Sequence, residues 1–180
     1  MNLIKIAEKF KDNLYKDDKE LKKDLDKIER IVAPYKNNPK VKLLGVEPDA
    51  NYNRTVVTVL GDPEEVKKAV IESIGIATKE IDMNVHKGEH KRMGATDVVP
   101  FLPIQEMTTE ECNEISREVG KAVWERFQLP VFLYESTATA PNRVSLPDIR
   151  KGEYEGMAEK LKQPEWAPDF GERAPHPTAG

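Results

Sequence analysis

Thr55-Val56-Val57-Thr58-Val59-Leu60-Gly61-Asp62-Pro63-Glu64-Glu65 changes its periodicity half-way along, and that change sets the class of the fold. The β-branched run from Thr55 to Leu60 suits a largely buried strand. Gly61 interrupts it. Asp62 then predicts a helix cap, Pro63 has its φ pre-set for a first turn, and Glu65 completes a capping-box-like arrangement. Val66, Val70, Ile74, Ala77 and Ile81 follow at the spacing of one helical face.

Working towards the N-terminus, Val41–Val46 reads as a second strand, with a polar loop from Glu47 to Asn53. Before it, Leu21, Leu25, Ile28 and Val32 predict a charged helix with one buried stripe, ended by Pro34 and the Asn37-Asn38-Pro39 turn. Leu3, Ile4, Ile6, Ala7 and Phe10 suit either a helical turn or a short strand. Residues 1–39 thus form a charged helical segment ahead of a main domain over 40–180.

Towards the C-terminus, Val98–Pro103 is apolar but carries two prolines, which suits an edge strand. Thr108 and Glu111 form a capping box ahead of a helix whose inner face holds Ile115, Val119, Ala122, Val123 and Phe127. Pro130–Tyr134 reads as a strand and Lys151–Leu161 as a short helix. The tail 163–180 holds four prolines, which points to loop rather than helix or strand. The order of elements predicts an α+β sandwich: one mostly antiparallel or mixed sheet with helices on one face.

The 180 residues suffice for one good core. A net charge of −4 argues against a binder that relies on phosphate neutralisation. No apolar run approaches the roughly 20 residues that span a bilayer, and the N-terminus lacks a signal-like apolar region. The single Cys112 excludes an internal disulfide and reads as a small buried hydrophobe. A cytoplasmic location is expected.

The chemistry concentrates between Ile81 and Phe101. His86-Lys87-Gly88-Glu89-His90 formally matches an inverted zinc-protease pattern, yet that chemistry needs both histidines on one continuous helix. Gly88 and Gly94 each disfavour helix by about 1 kcal/mol, so no metal is expected. The alternatives are acid–base work by a loop histidine beside carboxylates and cations, or histidines satisfied by the loop backbone. In the first case Lys87, Lys91 and Arg92 would hold carboxylates of an anionic substrate. Spacing alone leaves both open.

Longer stretches carry more. Asn53-Arg54-Thr55-Val56, Ile81-Asp82-Met83 and the His86–His90 run followed by Arg92-Met93-Gly94-Ala95-Thr96-Asp97 resemble the formimidoyltransferase family, in its N-terminal subdomain. Tyr134-Glu135, Leu146-Pro147, Ile149-Arg150, Gly152-Glu153-Tyr154-Glu155, Trp166-Ala167-Pro168-Asp169-Phe170-Gly171 and His176-Pro177-Thr178-Ala179-Gly180 resemble it too.

The resemblance implies a ferredoxin-like α/β sandwich in which two similar subdomains face each other with folate between them. It implies transfer of the formimino group from formiminoglutamate to tetrahydrofolate, in histidine breakdown and one-carbon metabolism. The family's catalytic histidine falls on His90, with His86, Glu89, Arg92, Asp97 and Arg54 as possible supporting residues. Glu89 or Asp97 would orient His90, and Arg54 would clamp a carboxylate. The family's folate-binding loop falls on Gly171, Glu172, Arg173, Ala174, Pro175, His176, Pro177, Thr178, Ala179 and Gly180, with Arg173 towards the glutamyl tail.

Tetrahydrofolate is expected as co-substrate, without metal, nucleic acid or membrane. The partner would be a C-terminal subdomain or a second copy. Family members begin with a strand carrying V-P-N-F-S-E-G, and no such stretch stands in residues 1–33. The second expectation is therefore a stand-alone, non-catalytic subdomain that binds folate or another protein. A relative acting on formiminoglycine would share the same loop.

Overall fold

A computed structural model of the chain describes residues 18–180. The expectation for Leu3–Phe10, and the side chain of Leu21, lie outside the described residues. The chain divides into two compact units: one ends at Ala69 and takes in Lys87–His90, and the other holds Val70–His86 and Lys91–Gly180.

The first unit is built on a hairpin. Strands β1 (Val41–Asp49) and β2 (Arg54–Gly61) pair antiparallel, with a register shift between Leu43 and Gly45. Helix α1 (Asp18–Lys36) packs on them and buries Val32 and Tyr35. It runs through Pro34 instead of ending there. The proline removes only one donor near the end, and the last turn still closes through Asn37 N to Ala33 O at 3.1 Å.

β2 is not the largely buried strand expected. Its residues alternate, and Val56 and Leu60 are each 43% exposed while Leu44 on β1 is 52% exposed. One face of the hairpin is covered and the other is open, as period-2 geometry dictates for a sheet packed on one side.

Helix α2 (Pro63–Glu80) starts where expected: Asp62 Oδ1 accepts the N–H groups of Glu64 and Glu65 at 3.1 and 3.2 Å. Glu65 does not close a capping box, because Lys68 and Asn38 hold its carboxylate and the Asp62 N–H donates to Lys40 O.

In the second unit the later part of α2 is joined by α3 (Thr109–Phe127), α4 (Leu146–Ile149) and α5 (Glu153–Leu161). The Thr108–Glu111 capping box is present in both directions. The core includes Ile74, Met83, Val119, Val123, Leu133 and Leu161. Cys112 is buried, and burial pushes its thiol pKa up.

Two expected strands are absent from any sheet. Val98–Pro103 joins no ladder, since Pro100 and Pro103 lack donors. Pro130–Tyr134 makes one bridge, Val131 to Phe170, and the Asp169 carboxylate takes the Leu133 N–H at 2.8 Å, leaving it no strand partner. Among the described residues the sheet has two strands. The fold is α+β, with helices beside an antiparallel sheet.

Buried charge ties the irregular chain together. Arg143 pairs with Asp169, and their side chains are 7% and 6% exposed. Lys160 Nζ donates to the carbonyls of Asp148, Ile149 and Lys151, closing the end of α4, while its ammonium lies 4.0 Å from the Trp166 ring centroid.

Candidate active site

The turn between β1 and β2 is shaped by Asp49, whose Oδ1 accepts the N–H groups of Asn51 and Tyr52 at 3.0 and 3.1 Å. Asn53 takes φ 47°. That turn holds the middle of the histidine loop. Asn53 Nδ2 donates to Lys87 O at 2.5 Å and Glu89 N donates to Asn51 O at 3.3 Å. A Cβ on Gly88 would lie 2.4 Å from Tyr52 O, so only glycine permits this approach.

His90 is thereby set against the turn. Its ring meets Tyr52 edge-on, with centroids 6.1 Å apart, and the Arg54 guanidinium lies over the same Tyr52 ring at 5.1 Å. Register puts Glu47 opposite Val56 and Asp49 opposite Arg54, so Glu47 and Arg54 share the open face of the hairpin. Reading Glu47 as loop hid this carboxylate. The register shift between Leu43 and Gly45 puts Glu47 three residues after the exposed Leu44, so strict alternation in the sequence does not find it.

The flanks of the histidine loop are anchored within the second unit. Asp82 ends α2 by accepting Asn84 N on its side chain at 2.9 Å and His86 N on its carbonyl at 2.9 Å. Arg92 is 6% exposed. Its Nε donates to His86 Nδ1 at 3.3 Å, one Nη donates to His86 O, and its fork grips the Glu155 carboxylate at 3.2 and 3.0 Å. The expected substrate cation therefore serves the loop itself.

Asp97 is also engaged away from His90, with Met93 N on one oxygen and Arg150 on the other. Beside them lies a largely apolar cavity of about 320 Å³, lined by Val98–Pro103, Leu129–Thr137 and α3. Burial raises the pKa of Tyr134 on its wall.

The tail is folded. Met83 N donates to Thr178 O at 2.7 Å, Ala95 N to Ala179 O at 2.9 Å and Asn84 Nδ2 to Pro177 O at 2.9 Å. Gly94 and Gly180 meet backbone to backbone: a Cβ on Gly180, at φ +92°, would lie 2.7 Å from Gly94 Cα. Arg173 donates to Leu161 O and Lys162 O, completing the end of α5, where a glutamyl contact was expected. Residues 176–180 of the expected folate loop are thus joined to loop 82–95.

Residues 22–180 match the family model of the formiminotransferase domain, N-terminal subdomain. The chain belongs to that family. It is 48% identical over 153 residues to a glutamate formimidoyltransferase of Streptococcus pyogenes, covering 85% of this chain and 51% of that protein. A glutamate formimidoyltransferase of Thermoplasma acidophilum is 40% identical over 151 residues, covering 83% of this chain and 50% of that protein.

The fused formimidoyltransferase-cyclodeaminase of Mus musculus is 44% identical over 147 residues, or 82% of this chain and 27% of that protein. The chain thus spans about half the length of the stand-alone relatives and about a quarter of the fused one. His90 and the tail both lie inside the matched residues.

Proposed function

We propose that this chain supplies the catalytic-histidine half of a glutamate formimidoyltransferase, a transferase that moves the formimino group of formiminoglutamate to tetrahydrofolate. The observation that carries this is the setting of His90. The Asn53–Lys87 and Glu89–Asn51 bonds fix the loop, and the Tyr52 ring meets the imidazole.

When bound, the folate supplies the nucleophilic nitrogen that takes the formimino carbon. His90 removes the proton from that nitrogen and returns it to the departing glutamate amine. An imidazole can take a proton and return it, so one group serves both steps. Arg54 and Glu47, on one open face, would meet the charged ends of formiminoglutamate. The folded 176–180 turn would form part of the folate subsite, with tetrahydrofolate as co-substrate and no metal in the chemistry.

The open hairpin face, with Leu44, Val56 and Leu60, supports pairing with a C-terminal subdomain or a second copy. We place the protein in the cytoplasm. Light scattering tests the second copy: a clean monomer at high concentration sinks self-association.

The decisive assay incubates the chain with formiminoglutamate and tetrahydrofolate and follows the substituted folate. Turnover lost in His90→Ala supports the enzyme. Folate binding without turnover supports the second reading, a non-catalytic binding module.

A further inference from the structure

His176 was expected to touch folate. The structure uses its ring inside the tail. Nδ1 accepts from Thr178 N at 3.2 Å and from Ala179 N at 3.0 Å, while His176 N donates to Gly180 O at 3.1 Å. Two backbone donors converge on one ring nitrogen, which requires its lone pair. The imidazole is therefore neutral, with its proton on Nε2.

We infer that His176 is a positioning residue whose neutral ring folds residues 176–180 into the turn that docks on loop 82–95. The carbonyls that dock it, Pro177, Thr178 and Ala179, belong to the residues this ring closes, and they receive Asn84, Met83 and Ala95. Protonation of Nδ1 replaces an acceptor with a donor and sets it against two N–H groups. Those two bonds are lost together.

Among the described residues no charged neighbour offsets this. Burial alone weighs on the ring and holds its pKa below the ordinary 6.5. The titratable side chains of the segments bonded to the tail are engaged elsewhere: Asp82 accepts from Asn84, Tyr154 donates to Asn84 Oδ1, and Arg92 holds His86 and Glu155. The folded pKa is depressed, so the turn is fully formed above pH 6.5 and is lost as pH falls through the lower folded value.

The inference rests on the proposed folate subsite only for its consequence, and the test separates the two. Amide exchange of the full chain is followed by nuclear magnetic resonance while the His176 ring is titrated. Protection of the Thr178, Ala179, Met83 and Ala95 amides should fall about tenfold as the ring protonates. His176→Asn keeps an acceptor where Nδ1 stood, so it should retain the turn at acid pH. His176→Ala should lack it throughout.

Unchanged Thr178 and Ala179 protection through ring protonation would overturn the inference, as would His176→Asn behaving like His176→Ala. Binding of 5-formyltetrahydrofolate, read by tryptophan fluorescence, is measured alongside. A turn that opens as described with no folate binding at either pH upholds the positioning role and removes the folate subsite.

Discussion

Arg92 holds His86 at two points: Nε donates to the ring Nδ1 at 3.3 Å and an Nη donates to the main-chain oxygen at 2.8 Å. The same guanidinium reaches Glu155 on α5. One buried side chain thus fastens the start of the histidine loop to a helix far along the chain. Arg92→Met keeps the bulk and removes the fork. The Glu155 carboxylate is 52% exposed and can turn to water, so the loss should be about 2 kcal/mol, below that of a fully buried pair. Urea unfolding measures it, and a midpoint unchanged from the parent would contradict the assignment.

Gly88→Ala tests the clamp on His90. The added Cβ would meet Tyr52 O at 2.4 Å and Asn53 Cβ at 2.8 Å, so the loop must leave the turn. On the proposed chemistry, turnover should fall about 100-fold, as expected when a reacting group is misplaced by about 1 Å. Loss of the His90 ring-current shift from Tyr52 would report the movement directly. Full turnover would show that the clamp does not position the histidine.

Asp169→Ala removes the partner of a buried arginine. Arg143 would be left with its charge uncompensated, and Leu133 N would lose its acceptor. The expected cost is about 3–5 kcal/mol. Thermal unfolding reads this, and a change below 1 kcal/mol would mean that water reaches the guanidinium.

The Thr108–Glu111 box should weaken in acid. The Thr108 backbone N–H, followed by its hydroxyl, holds the Glu111 carboxyl below its ordinary 4.5. Because the folded value is the lower one, the stabilisation is complete above 4.5 and is lost as pH falls through that folded value. Thr108→Ala should remove about 1 kcal/mol near neutral pH. The difference between parent and variant should shrink towards pH 3; a constant difference would assign the cap to the hydroxyl alone.

Cys112 should resist thiol reagents. It is 4% exposed, and burial raises its pKa, so little thiolate forms and access is closed. Labelling should follow unfolding, and rapid stoichiometric reaction of the folded chain would refute the burial.

Local rules read some of this protein well. Asp62 as a cap, the Thr108 box, the helix ending at Leu161 and the buried Cys112 depend on neighbours within a few residues, where composition and spacing carry the physics. The long match around His86–Asp97 pointed to the family for the same reason.

Other expectations needed distant partners. Val98–Pro103 and Pro130–Tyr134 are apolar, but a strand exists only when another strand accepts its backbone, and the Asp169 side chain took one of those donors. Arg92 and Asp97 were legible as charged loop residues. Only the fold showed that Glu155, His86 and Arg150 occupy them.

The sequence by itself determined the α+β class, the helix caps, the family and the histidine to test. Tertiary structure decided which charged groups serve the loop, which face of β2 stays open, and that His176 folds the tail through its ring. The physical reason is range: caps and periodicity act over one helical turn, whereas hydrogen-bond partners are allotted among residues as far apart as Asn84 and Pro177.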